Sequence, residues 1–302
     1  MADAQTPTLS TTKPVARRST RTARSAFLRR FTPGTVLRWV VALAWVVVAV
    51  FPLWWTFSVT FSPTGAPLTE QFFPTDIGAG LQKIQMVFKE TTLAQAILVT
   101  LVWSIIQAAG VVIITSMAAY EFALFDFPGK NALFTLALAS LMVPQVVTLI
   151  PLFRIVISLQ WLNTFQGLAV PGMASALALF IFRQFIEEVP RELMDAAEVD
   201  GASHFRVYRS IIMPICANAA LIVAVLTIVG VWGSYLWPLV VSTKPAMYVA
   251  NVIAAGAAGT QSWRTKDFAM TVYFLAAIPP IIIYILLQRK ITQGFAMSGL
   301  KG

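Results

Sequence analysis

Long runs without a charged side chain dominate the chain and set its architecture. Residues 39–69, 91–120, 131–153, 155–182, 210–243 and 268–288 contain no Asp, Glu, Lys or Arg. Each exceeds the roughly 20 residues with which an α-helix crosses the hydrocarbon core of a bilayer. Buried helices of soluble proteins rarely run so far without a charge. Helices in lipid do, because every charge carried toward the bilayer centre costs several kcal/mol. The pattern predicts an all-α membrane protein with about six transmembrane helices, near 36–61, 92–119, 132–157, 165–186, 215–241 and 268–288.

Punctuation along the chain fits this division. The first span contains Pro52, and the third holds Pro144 and Pro151. Prolines are tolerated in membrane helices where neighbouring helices satisfy the freed carbonyls. A loop of some 30 residues rich in Pro, Thr and Gly follows the first span, at 62–91. A cytoplasmic turn at 120–130 carries Pro128-Gly129, and a short outer loop lies around Gln160–Thr164. A seventh uncharged stretch, 245–263, is diluted by Asn251, Gly256, Gly259, Thr260 and Gln261. It reads as an extracytoplasmic or re-entrant segment. The alternative, a seventh crossing, would send the C-terminus to the other side. No tandem repeat is evident.

Charge then orients the spans. Of 302 residues 58% are hydrophobic and 12% charged, about half the charged share of ordinary soluble proteins. With the N-terminus inside, 16 of the 22 Lys and Arg residues fall on cytoplasmic segments: eight before the first span, then Lys130, then Arg183, Arg191, Arg206 and Arg209, then Arg289, Lys290 and Lys301. Lys83, Lys89, Arg154, Lys244, Arg264 and Lys266 fall outside. Cytoplasmic enrichment in Lys and Arg is the expected bias. Both termini and the 187–214 loop are therefore expected in the cytoplasm, with 62–91 and 242–267 outside. The tail at 1–35 is basic, and its Pro, Ser and Thr content predicts disorder; residues 36–302 form the transmembrane domain. Topology and contact with anionic head groups account for the tail's charge without nucleic acid. The apolar stretch Val36 to Phe61 is too long for the core of a cleavable signal peptide.

Candidate chemistry is sparse. The lone Cys216 forms no internal disulfide, and the lone His204 sits in a polar loop as a solvated histidine would. Trp39, Trp54, Trp55, Trp103, Trp161, Trp237 and Trp263 lie mostly near expected span ends, as interfacial anchors. No phosphate-binding loop is present: Gly129-Lys130 is followed by Asn131 and has no glycine five positions earlier. No catalytic grouping and no metal-ligand cluster emerges. All 13 acidic residues lie away from the span centres. That argues against a proton relay, though not against sodium held by backbone carbonyls.

The most polar internal segment is the loop 187–214, EEVPRELMDAAEVDGASHFRVYRSIIMP. Pro190 suits a helix start, with Glu192 and Asp195 near its positive end. Leu193, Ala196, Ala197 and Val199 give that helix a weakly apolar side. Gly201 breaks it, since glycine takes the left-handed geometry of a helix C-terminus. A second amphipathic piece carries Phe205, Tyr208, Ile211 and Ile212 at helical spacing, and Pro214 ends it. The result is a helix–turn–helix knob, a rigid lever anchored to two spans. A solvated connecting loop is the competing reading of the same residues.

This loop resembles the signature of binding-protein-dependent ABC importer permeases: E-A-A, three residues, G, nine residues, I-x-L-P. The chain has Asp195-Ala196-Ala197, then Gly201, then Ile211-Ile212-Met213-Pro214 at those spacings, with Asp for Glu and Met for Leu. The stretches 182–203, FPGK (127–130), LMVPQVVTLIPLF (141–153), GLAVP (167–171) and GVWGSYLWPLV (230–240) are similar to the carbohydrate, maltose-type branch. So is the tail GLKG, with Gly299 and Lys301. The resemblance covers about 90–302.

It implies a type I ABC importer permease fold in a bacterial or archaeal cell membrane. Its implied partners are a second, non-identical permease, two ATPase subunits that bind ATP and Mg, and an extracytoplasmic solute-binding protein. This chain itself would bind no cofactor and catalyse nothing. Asp195, Ala196, Ala197, Gly201, Ile211 and Pro214 would couple to the ATPase, and the solute would be a sugar or sugar-like compound. Gln145, Ser234, Tyr235 and Trp237 would line the pathway or simply pack between helices. A stand-alone secondary transporter or channel is the alternative, and it leaves the knob pattern unexplained.

Overall fold

A computed structural model describes residues 33–257 and 266–298, and all regular structure there is helical. The tail before Pro33 lies outside the described residues, as do Trp263, Gly299 and Lys301. Two compact units divide between Trp54 and Trp55. In the first, residues 33–54 belong to helix α1 (Pro33–Thr60). Leu37, Trp39, Leu43, Trp45 and Val48 stand exposed around it, so the helix is apolar on all sides, as suits lipid.

The second unit is organised around α3 (Leu93–Leu124). Its buried positions include Ala96, Val99, Thr100, Trp103, Ser104, Ala108, Val111, Thr115, Ser116 and Ala119. Small side chains at helical spacing let neighbouring helices approach closely, the main source of helix association where lipid is as apolar as the core. The buried hydroxyls of Thr100 and Thr115 donate to the carbonyls of Ala96 and Val111, at 2.7 and 2.6 Å, so neither is left unpaired. Against this axis pack α7 (Ala176–Glu187) and α11 (Ala217–Gly233).

Continuous spans are fewer than the hydropathy suggests. Gly34–Thr60, Leu93–Leu124 and Lys266–Gln288 are each long and apolar enough to cross a bilayer. Of the other three expected spans, the third and fourth are bent pairs, and the fifth opens on a bend at its junction with the 187–214 loop. In the third, α4 (Lys130–Ala139), extended by a short 3-10 turn to Met142, meets α5 (Gln145–Ser158) at 103°. Val143 precedes a proline and takes extended geometry there (φ −82°, ψ 117°), which ends the helix. In the fourth, α6 (Phe165–Ala169) and a 3-10 turn to Gly172 meet α7 at 52°. In the fifth, the helical run 204–215 meets α11 at 76° across Cys216. Moreover, α11 stops at Gly233, and a short helix α12 (Leu236–Val241) follows extended Ser234, where one span to 241 was expected.

Two polar segments also depart from expectation. The 62–91 loop contains a helix, α2 (Ile77–Glu90), whose cap residue Asp76 accepts from the Ala79 N–H at 2.9 Å. Its buried face is Gly80, Lys83 and Val87, while Ile77, Leu81, Met86 and Phe88 point outward. Lys83, read from sequence as an outer-loop charge, is buried. Its ammonium donates to the Val59 carbonyl at 2.8 Å and lies 3.9 Å from Asp267 Oδ2. Burial pulls the Lys83 pKa below its usual value, with Asp267 and Asp76 pulling the other way. Asp267 also accepts from the Gly65 N–H at 2.8 Å.

The 245–263 stretch contributes a 3-10 turn and α13 (Ala250–Ala257). Eight residues span about 12 Å, far short of the roughly 30 Å of hydrocarbon. Ala250, Ala254 and Ala257 are buried with Phe268 and Val272 of the last helix, α14 (Lys266–Ser298). A re-entrant or surface segment fits these dimensions; a crossing by α13 does not.

Candidate functional site

The 187–214 loop folds as two helices around a sharp turn. Helix α8 (Arg191–Val199) starts after Pro190, with Glu192 in its first turn. At its end Gly201 adopts φ +76°. The Gly201 N–H donates to the Glu198 carbonyl and the Ala202 N–H to the Ala197 carbonyl, each at 2.9 Å. These are the paired bonds of a Schellman cap, which satisfy carbonyls the helix end would otherwise orphan. The second arm runs through α9 (His204–Val207), a π-turn at Tyr208–Ile212 and α10 (Met213–Ile215).

The second arm ends one residue past Pro214, where the sequence places its end. The Met213 N–H reaches back to the Tyr208 carbonyl, and the widened π-turn precedes the proline, which has no N–H to offer. Helical geometry continues to Ile215, and Cys216 makes the bend.

The knob is seated firmly. Met194, Val207 and Ile212 are buried in one cluster with Tyr120, Ala123, Phe182 and Ala219, and Ala197, Ala202, Tyr208 and Ile211 pack against it. The Tyr208 hydroxyl lies 2.8 Å from Ser116 Oγ of α3. Tyr120 meets the rings of Phe125 and Tyr208 edge-on, 5.6 Å away in each case. The apolar side inferred for α8 is therefore corrected: Met194 and Ala197 form it, while Leu193 (47%) and Val199 (88%) are exposed. Phe205 (61%) is likewise off the packed face of the second arm. Asp195 and Ala196 are exposed beside them. His204 is exposed, with Nδ1 3.5 Å from Glu198 Oε1.

The helix breaks surround a cavity of about 630 Å³. Gln145, Ser234, Tyr235 and Trp237 all stand on its wall. Trp237 packs as well as lining: its indole N–H donates to the carbonyls of Gly167 and Leu168, at 3.2 and 3.3 Å. Trp103 and Trp237 are buried, not interfacial as their positions near span ends suggested. Sequence reasoning missed Gln107, Thr148, Ser175 and Thr227, which share the wall. A carboxamide in mid-span, at Gln107, was the available signal. Asn251 was missed too; its Nδ2 donates to the Trp232 carbonyl at 2.8 Å, satisfying the broken end of α11. Among the described residues no group of three His, Cys, Asp or Glu is placed to hold a metal.

Broken helices border a largely apolar cavity that carries amide and hydroxyl groups, and a knob is seated on the spans that form it, an arrangement that suits a transport permease. Residues 110–297 match the family described as "Binding-protein-dependent transport system inner membrane component", and the chain belongs to that family. It is 31% identical over 266 residues to the sn-glycerol-3-phosphate transport system permease protein UgpE of Brucella suis, covering 82% of this chain and 91% of that protein. It is 30% identical over 275 residues to the arabinooligosaccharides transport system permease protein AraQ of Halalkalibacterium halodurans, covering 88% and 98%. The fold is that of a chain in a bacterial ABC transporter involved in import of the acidic polysaccharide alginate, with TM-score 0.72, 18% identity and coverage of 92% and 99%. The protein is thus a multi-pass inner-membrane permease subunit of an ABC transporter, which works with ATPase and solute-binding partners.

Proposed function

We propose that this subunit imports a sugar or sugar-like solute into the cytoplasm, paired with a second, non-identical permease. Relatives named for arabinooligosaccharide and glycerol phosphate transport support the solute class. The observation that carries the coupling is the knob, whose buried side is locked to α3, α7 and α11 while Leu193, Val199 and Phe205 are left uncovered beside Asp195. Uncovered apolar side chains next to a charge, on a rigid support, suit a cleft on an ATPase subunit. ATP and Mg reside on that partner. The loaded binding protein and ATP both favour the outward-facing state, and transport is that coupling.

Two measurements test this reading. The purified chain should neither bind nor hydrolyse ATP, and solute-dependent hydrolysis should appear only after co-expression with the second permease, the ATPase and the binding protein. ATP bound by the chain alone in a filter assay would overturn the assignment. The proposed orientation places both termini and 187–214 in the cytoplasm, with 62–91 and 242–267 outside. Introduced cysteines should react with impermeant reagents accordingly, and an externally labelled C-terminus would refute it.

A further inference from the structure

We infer that Gln107 is a solute-recognising group of the cavity and that the solute it selects is an uncharged polyhydroxyl compound. The inference rests on the importer reading above and narrows it. The polar side chains lining the cavity include Gln107, Gln145, Thr148, Ser175, Thr227 and Ser234, all neutral. Among the described lining residues there is no Asp, Glu, Lys, Arg or His. An ion leaving bulk water for such walls meets no counter-charge there, whereas a hydroxylated neutral solute requires only hydrogen-bonding groups in place of water.

Within that wall Gln107 is the carboxamide held in place. Its Oε1 accepts from the indole N–H of Trp103 at 2.9 Å, and its Nε2 donates to the Gly172 carbonyl at 3.3 Å. Trp103 is only 2% exposed, so its N–H is a fixed donor, which also decides which end of the amide is oxygen. A carboxamide offers two N–H donors and two acceptor lone pairs. Two of the four are spent on these partners, leaving one donor and one acceptor on the same amide. Two adjacent hydroxyls of a polyol present the complementary acceptor and donor. By contrast, the hydroxyls of Thr227 and Thr148 are turned back onto the carbonyls of Val223 and Gln145, at 2.8 and 3.0 Å. Ser175 Oγ is occupied in capping α7 through the Ala178 N–H at 3.2 Å.

Gly172 is what lets the amide sit so close to the backbone. A Cβ there would stand 2.4 Å from Nε2 and 2.7 Å from Cδ of Gln107. Gly172→Ala therefore displaces the carboxamide without changing it, and Gln107→Leu removes it. The two substitutions separate recognition from simple packing.

The test uses the assembled transporter in proteoliposomes, offered an equimolar panel of neutral oligosaccharides and polyols together with glycerol 3-phosphate, glucose 6-phosphate and a uronate oligosaccharide. Uptake of each is quantified by mass spectrometry, and co-purification with the ATPase checks that each variant has folded. The expected result is uptake confined to neutral members, with KM raised about tenfold by Gln107→Leu and by Gly172→Ala and kcat altered less. Preferential uptake of an anionic member would overturn the inference and leave the importer reading standing. So would neutral uptake with KM unchanged in both variants. No uptake of any member by an assembled complex that hydrolyses ATP would overturn the importer reading, and this inference with it.

Discussion

Replacing Gly201 by Val is expected to abolish most solute uptake while leaving the chain in the membrane. Gly201 sits at φ +76°, and a Cβ there would meet nothing within 4 Å. The penalty is therefore conformational rather than steric. Left-handed geometry costs an L-residue about 1–2 kcal/mol, and a β-branched side chain suffers most. The chain escapes the penalty by abandoning the Schellman cap and carrying α8 through the turn. That would swing Asp195, Ala196 and Ala197 relative to the second arm and misalign the exposed surface. Uptake and ATPase co-purification should each fall on the order of tenfold or more. Gly201→Asn should be much milder, because asparagine tolerates this geometry. Charge reversal at exposed Asp195, in Asp195→Lys, should weaken docking without disturbing the fold, and His204→Ala should do little. Near-parental uptake by both Gly201→Val and Asp195→Lys would make the knob a mere connection.

The largest effect on stability is expected at Lys83 and Asp267. Both side chains are 6% exposed, and they bring α2, the end of α1 beyond Trp55 and the start of α14 to one point. Lys83→Met leaves the Asp267 carboxylate buried with the Gly65 N–H as its remaining described partner, and strips the Val59 carbonyl of its donor. Removing one member of a buried pair costs about 3–5 kcal/mol. The double variant Lys83→Met, Asp267→Leu should recover part of that loss, since no uncompensated charge remains. Thermal unfolding in detergent of the two singles and the double gives the coupling energy directly. Single variants within about 0.5 kcal/mol of the parent, the range of ordinary surface changes, would show that the pair stabilises nothing.

Much of the fold is legible in the sequence because lipid imposes one rule on every span. The uncharged runs locate α1, α3 and the start of α14 to within about five residues, since a charge inside them would be costly. Helix α14 runs on to Ser298, past the expected end at 288. The bends are not encoded in hydropathy, which is blind to direction. Val143 before Pro144 was a local signal for one of them and Pro214, two residues ahead of the 76° turn at Cys216, for another, but neither residue fixes the angle. Helix α2 escaped notice because its apolar side chains face outward and its buried face carries a lysine. That arrangement makes sense only with Asp267, which lies 184 positions further on and is invisible to any local pattern. In the knob, the glycine turn was readable from residue type alone. The packed face was not: Met194 is buried while Val199 is bare, and the choice is made by α3, α7 and α11. Gln107 and Asn251 were obscured for the same reason, since each also binds a distant carbonyl at a helix break, that of Gly172 and that of Trp232.

The anchoring of residues 61–83 has a consequence for binding. A free loop of this length would have to be frozen by whatever docks on it, and each immobilised residue would subtract from affinity. Here Ser58 donates to the Gln71 carbonyl, Gln71 to the Ala66 carbonyl, and Gly65 to Asp267, at 2.7, 2.7 and 2.8 Å. The segment thus carries its ordering cost within the fold itself. A partner arriving at this face meets a shape already set, so association there should proceed as rigid-body docking, with speed governed by encounter and dissociation by contact alone.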